Sequence, residues 1–238
     1  MAKQLSQKNN HKTALSLAVF DCDGTLVDSA HSIISCMQTA CGNLGYPQPK
    51  QNEIRRTVGL PVDIAITRLL PDMGTNQVQE VREEFHKLFV MLRESEEVHE
   101  PLYSGVEDTL CALKDGGWLL GIATGKSSNG LKSTLNNNNI DHHFVTLQTA
   151  DLSFGKPDPD MLLKAIRDTG VEKKRTVMIG DTSYDMQMAR SAGTLAIGVT
   201  WGYHSVEELL GSGAHGVVKT FPQIPQTIDK LLKTTNDR

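Results

Sequence analysis

Five short apolar runs, each stopping at a turn or a polar cluster, constrain this fold more than anything else in the sequence. They are "ALSLAVF" ending at Asp21, "WLLGIAT" before Gly125, "FVTLQT" before Asp151, "TVMIG" at Asp181 and "LAIGV" before Thr200. None alternates strictly between apolar and polar residues, so each reads as a strand buried on both faces. Helical patterns lie between them. Val106, Leu110 and Leu113 share one face of a segment that stops at Gly116-Gly117, and Leu162, Ala165 and Ile166 share a face of another that ends at Gly170. Strand–helix alternation of this kind predicts an α/β fold, a Rossmann-like parallel sheet with helices on both faces.

One region breaks the alternation. Between 28 and 100 the only regular pattern is helical. Ile33, Ile34, Met37, Cys41 and Leu44 form one apolar stripe, and Val78, Val81, Phe85, Leu88, Phe89 and Leu92 form a second. Pro47, Pro49, Pro61 and Pro71 mark the expected helix limits. The expected organisation is an α/β core over 14–27 and 101–234, a small all-helical cap over 28–100 inserted after the first strand, and a flexible tail over 1–13.

The totals narrow the function classes. A chain of 238 residues with 39% hydrophobic and 22% charged residues is an ordinary globular composition. A net charge of −4 and only 5% aromatic residues argue against a nucleic-acid binder, which needs a basic surface and stacking platforms. No apolar run approaches the roughly 18 residues of a membrane helix. The opening "MAKQLSQKNNHKT" has no apolar core of a secretory signal. Cys22, Cys36, Cys41 and Cys111 show neither CxxC spacing nor a disulfide framework, so reduced thiols in the cytoplasm are expected.

The chemistry gathers where the apolar runs stop. Asp21 and Asp23 flank Cys22, and two carboxylates at 4 Å repel by up to about 4 kcal/mol at an effective dielectric near 20. In an open parallel sheet, residues just past the strand C-termini face one crevice. Asp21, Asp23, Asp181 and Asp185 can therefore meet there, and a hard divalent cation such as Mg²⁺ fits a set of oxygen donors. Lys156, the Thr124 hydroxyl and the N–H groups near Gly125 suit a phosphoryl group, which needs positive charge and donors around its oxygens. Asp21 can act as nucleophile and Asp23 as acid and base. Thr124 could equally cap the helix after Gly125. Cys22 is expected to be a small buried filler, pointing away from its acidic neighbours.

Four segments, "DCDGTLVDS", "ATGKS", "GKPDPD" and "GDTSYD", resemble in this order the motifs of the haloacid-dehalogenase superfamily. The likeness spans roughly 14–232, and the helical insertion resembles the cap of the phosphoglycolate-phosphatase-like branch. The resemblance implies a Mg²⁺-dependent phosphatase with Asp21 as nucleophile and Asp23 as acid/base. It implies that Thr124, Gly125 and Lys156 hold the phosphoryl group. It further implies that Asp21, the Asp23 main-chain carbonyl and Asp181 bind the metal, with Asp185 supporting them. A small phosphorylated metabolite is the implied substrate, phosphoglycolate by resemblance, with pyrophosphate, nucleotides and sugar phosphates open. A β-phosphoglucomutase-like mutase would carry an Arg after a Gly-x-Ser stretch and a His in the cap, where this chain has Gly59-Leu60-Pro61-Val62 and Ile33. A dehalogenase would lack Asp23 and need no metal. In the cap, Arg55, Arg56 and Arg68 are candidate anion contacts or simply solvated helix faces, and the loop Thr57–Pro61 can present Gly59 to the crevice.

Overall fold

The computed structural model describes residues 15–95 and 99–236. The tail expected over 1–13 and the cap positions 96–98 lie outside the described residues. Six strands form one parallel sheet: β1 (Ser16–Phe20), β2 (Trp118–Thr124), β3 (Thr146–Thr149), β4 (Thr176–Gly180), β5 (Leu195–Val199) and β6 (Gly216–Val218). Their order is β3-β2-β1-β4-β5-β6, so β1 is central and the order reverses beside it. The five apolar runs are the first five strands. The sixth, three residues opening on glycine, leaves too short a pattern to read.

Strand alternation divides the core. Ala18, Phe20 and Cys22 pack on one face with Leu110, Leu113, Leu131 and Leu135, while Leu17 and Val19 pack on the other with Met161, Leu162 and Ala165. Helices α5 (Val106–Asp115), α6 (Ser128–Asn137) and α10 (Gln223–Asn236) cover the first face. Helices α7 (Asp160–Thr169), α8 (Ser183–Ala192) and α9 (Val206–Gly211) cover the second. Cys22 is fully buried on the face opposite its acidic neighbours' site, as a small apolar filler.

The region after β1 is helical: α1 (Ala30–Asn43), α2 (Gln51–Arg55), α3 (Val62–Leu69) and α4 (Thr75–Glu94). Ile34, Met37 and Cys41 of α1 meet Val78, Val81, Phe85 and Phe89 of α4 in a third apolar cluster. Leu44 departs from its stripe: it is exposed, because α1 has ended at Asn43 and the chain turns at Gly45. The segments entering and leaving this layer are paired. The Asp28 N–H donates to the Pro101 carbonyl at 2.9 Å, and the Tyr103 N–H to that of Leu26 at 3.0 Å. Among the described residues no helix is long and apolar enough to cross a membrane, and all four cysteines are free.

His143, between α6 and β3, is buried with neither ring nitrogen partnered among the described residues. Burial, then His142 and Lys114, push its pKa below the usual 6.5. The folded chain thus holds it neutral, while the unfolded chain takes up a proton below about 6.5. Its contribution is complete above that pH and is lost as the pH falls from there toward the folded pKa. Urea unfolding midpoints should therefore drop between pH 7.5 and 5.5 by less in His143→Leu than in the parent. Parallel drops would show that His143 is not a source of the acid sensitivity.

Candidate active site

The loops beyond the C-terminal ends of β1, β2, β3, β4 and β5 converge. Asp21 follows β1 directly, and its N–H continues the ladder to the Ile179 carbonyl at 2.9 Å, which fixes the carboxylate at the sheet's end. Asp181 follows β4, and Asp185 stands in the first turn of α8. There Thr182 and Asp185 form a capping box, with the Asp185 Oδ2 accepting from the Thr182 N–H at 3.0 Å and its hydroxyl at 2.7 Å. Lys156 arrives from the β3–α7 connection, and its Nζ lies 2.7 Å from Asp21 Oδ1 and 2.7 Å from Asp185 Oδ1. All four of these side chains are fully buried.

Asp21, Asp181 and Asp185 each bring a carboxylate oxygen within 4.8 Å of the others. If all were ionised, the three carboxylates would exceed the single ammonium of Lys156 by two negative charges in a buried space, and the site resists that state. Burial pushes the Asp21 carboxyl up to about 7, against the pull of Lys156 and with Asp185 adding to the rise. Burial, then Asp21 and Asp185, push Asp181 well above the usual carboxylate range. Asp21 Oδ1 also accepts the Cys22 N–H at 2.6 Å, whereas its Oδ2 is buried with no partner among the described residues. Asp181 accepts from the Thr25 hydroxyl at 2.8 Å and the Tyr203 N–H at 2.9 Å. An orphaned carboxylate oxygen, three buried carboxyl groups against one ammonium and an all-oxygen donor set together fit a hard divalent cation, whose charge would favour their ionised forms.

Asp23 faces elsewhere. Its Oδ1 accepts from Ser29 Oγ at 2.5 Å and lies 2.9 Å from Lys126 Nζ, which in turn reaches Glu100 at 2.8 Å. Burial opposes the charge on Lys126, yet Asp23 and Glu100 outweigh it and hold its pKa above the ordinary value. Glu100 is also buried and accepts from the Thr134 hydroxyl at 2.6 Å. It stands at the return from the helical layer, so a buried chain of contacts runs from that return to Asp23. The sequence offers "ATGKS" for Lys126 but no pattern that pairs it with Glu100.

Thr124 ends β2, fully buried, and accepts from the Lys126 N–H at 3.2 Å. It does not cap α6; Ser127 does, accepting from the Gly130 N–H at 3.3 Å. Gly125 permits a close approach: a Cβ there would lie 2.9 Å from the Gly59 carbonyl oxygen and 3.0 Å from that of Leu60. The loop Thr57–Pro61 is thus pressed over the strand ends. Gly59 also faces Asp21, since a Cβ on it would be 3.9 Å from Asp21 Oδ2. Gly24 adopts φ +80°, and a Cβ there would come within 2.5 Å of Asp181 Oδ2.

Of the three cap arginines singled out in the sequence, none lines the cavity between the helical layer and the core. Arg56 pairs with Glu208 of α9. Arg68 donates to the Tyr184 hydroxyl at 2.7 Å and lies over its ring, while the same hydroxyl donates to the Arg56 carbonyl at 3.0 Å. These contacts fasten the layer to α8 and α9. Arg55 is exposed. Ile33 does line the cavity, and so does Arg93, which the sequence patterns did not bring forward.

Over residues 18–199 the chain matches the family described as haloacid dehalogenase-like hydrolase. It is 34% identical over 224 residues to "Probable phosphatase IndB" of Dickeya dadantii, covering 92% of this chain and 96% of that one. It is 29% identical over 223 residues to a phosphoglycolate phosphatase of Nitrosococcus oceani, covering 92% and 95%. A solved hydrolase from Pseudomonas syringae superposes with a TM-score of 0.80 at 24% identity, covering 91% of this chain and 98% of that one, a likeness that bears on the fold alone.

Proposed function

The chain belongs to the haloacid dehalogenase-like hydrolases, and from that premise we propose that it is a Mg²⁺-dependent phosphatase acting on a small phosphorylated metabolite through an aspartyl-phosphate on Asp21. One observation carries this reading: Asp21 Oδ2 is a buried carboxylate oxygen with no partner among the described residues, beside a lysine and two further carboxylates. Asp21 is the nucleophile, held in one orientation by Lys156 and the Cys22 N–H through its other oxygen. Lys156 and the Thr124 hydroxyl take the phosphoryl oxygens, together with the N–H groups around Gly125. Asp23 protonates the leaving oxygen and then takes the proton of the attacking water, kept in place by Ser29 and Lys126. The Gly59–Leu60 carbonyls, packed over Gly125, exclude bulk water while this happens.

Asp21, Asp181 and the main-chain carbonyl of Asp23 would hold Mg²⁺, and Asp185 would support them while holding Lys156. When bound, the ion would neutralise charge on the transferring group and on the buried acids. The Ile33 side chain, where a mutase would carry a histidine, favours hydrolysis over transfer within a sugar. Phosphoglycolate is one candidate substrate, on the strength of the relative from Nitrosococcus oceani.

The test is phosphate release from phosphoglycolate, pyrophosphate, nucleotides, sugar phosphates and p-nitrophenyl phosphate, in Mg²⁺ and in EDTA. Release in Mg²⁺ that EDTA abolishes is expected. Thermal unfolding supplies a readout independent of turnover: saturating Mg²⁺ should raise Tm in the parent but not in Asp181→Ala. Equal release in EDTA, with no Tm response, would contradict the metal-dependent reading.

A further inference from the structure

Between the helical layer and the strand ends lies a cavity of about 100 Å³. Asp23, Gly125 and Lys126 form its floor, so it opens on the groups assigned above to the leaving oxygen and the phosphoryl group. Its walls are mainly apolar, with Met37, Ile54, Phe85 and Phe89 among them. The apolar part of these walls offers no hydrogen bonds to a wholly polar leaving group, which would lose hydration against it without compensation.

Thr57, His86 and Ser127 also line the cavity, and Arg93, near the end of α4, brings a guanidinium to these walls. It is half-buried, and its guanidinium lies 5.3 Å from the Phe89 ring centre and beside Gly130 of α6. Lys126 and Lys156 each have two carboxylate partners. Arg93 has no ion pair or hydrogen bond among the described residues. Held over a ring at the edge of a mainly apolar cavity, a guanidinium presents its fork of donors to whatever enters, and its preferred partner is a carboxylate bound by two of them.

We propose that the leaving group of the natural phosphomonoester combines a compact apolar body, seated against Ile54, Phe85 and Phe89, with a carboxylate that pairs with Arg93. This deepens the phosphatase reading and rests on it. It sets aside pyrophosphate, which has no apolar part, and ranks phosphoglycolate, whose carbon body is minimal, below an ester with a larger apolar portion. Arg93 is then a specificity-determining residue, reading the far end of the substrate while the core performs the chemistry.

The experiment compares kcat/KM for phenyl phosphate, 3-carboxyphenyl phosphate and phosphoglycolate in the parent, Arg93→Met and Arg93→Lys, all in Mg²⁺. Ratios between variants on one substrate cancel the intrinsic reactivity of its leaving group. In the parent, 3-carboxyphenyl phosphate should exceed both of the others. Arg93→Met should lose about 10- to 100-fold on the carboxylated aryl ester and less than about threefold on phenyl phosphate, with Arg93→Lys between. Equal losses on both aryl esters would overturn the proposal and make Arg93 a fastening of the helical layer to α6. A parent with no preference for the carboxylate would overturn it too. If the parent hydrolyses p-nitrophenyl phosphate in either case, the phosphatase reading survives; if it hydrolyses no phosphomonoester, both fall together.

Discussion

Asp21→Asn is expected to abolish turnover, with kcat reduced by on the order of 10⁴-fold or more, while the chain stays folded. The amide keeps the shape of the carboxylate and can still accept from the Cys22 N–H, which lies 2.6 Å from Oδ1. It removes the negative charge and nucleophilicity that bond formation to phosphorus requires. Folding should survive, because the substitution neutralises one of three mutually repelling buried acids while Asp185 remains to pair with Lys156. Activity and Tm measured on the same preparation separate the two effects. A variant retaining a tenth of parental activity would remove Asp21 from the role of nucleophile, and an unfolded variant would show that its charge serves the fold.

Lys156→Met should be the most destabilising single change at the site. The ammonium is fully buried, 2.7 Å from both Asp21 and Asp185. Replacing it with an apolar chain of similar length leaves three carboxylates gathered with no cation among them. Breaking one side of a buried ion pair typically costs about 3–5 kcal/mol, which for a chain of this length corresponds to roughly 6–20 °C in Tm. The sign with pH follows from the acids. Burial already raises the Asp21 and Asp181 carboxyls above their ordinary 3.8, and losing Lys156 removes a pull that opposes this on Asp21. Acids that stay protonated in the folded chain and ionise in the unfolded one cost stability as the pH rises above that value, so stability should recover as the pH falls. Mg²⁺ should restore part of the loss, since it neutralises the same charges, whereas NaCl of equal ionic strength should restore less. Scanning fluorimetry across pH and Mg²⁺ would check this. A Tm within 2 °C of the parent's, at about neutral pH without metal, would mean the pairing contributes little beyond compensating its own desolvation.

Much of this could be read before any coordinates, for identifiable reasons. A strand buried on both faces leaves a continuous apolar run, so β1 to β5 stood out, and their ends named Asp21, Asp23, Thr124, Asp181 and Asp185, while Lys156 stood out as the cation of the Pro-flanked loop "GKPDPD". The rule that strand C-termini share a crevice then brought together groups that neighbouring sequence never would. β6 stayed hidden because Gly216–Val218 is too short to show a period. Long-range pairings stayed hidden for a different reason. Glu100 with Lys126, and Arg56 with Glu208, join segments far apart in the chain, and no local pattern encodes a partner at that distance. Arg55, Arg56 and Arg68 drew notice as cations on cap helices. Which helix face turns to the cavity is decided by packing between α1 and α4, and that packing turned Arg93 inward instead. The residues of the candidate site were therefore locally legible, whereas the wall proposed to select the substrate is tertiary.

The most direct test of the account is to look for the covalent intermediate. The parent enzyme would be mixed with p-nitrophenyl phosphate and Mg²⁺, quenched in acid during turnover, digested and analysed by mass spectrometry. The expected result is a single phosphoryl group on the peptide carrying Asp21, removed by hydroxylamine as an acyl phosphate is, and missing from Asp21→Asn. Sustained turnover with no acid-stable phosphoryl group on any carboxylate, or with the group on a residue other than Asp21, would contradict it.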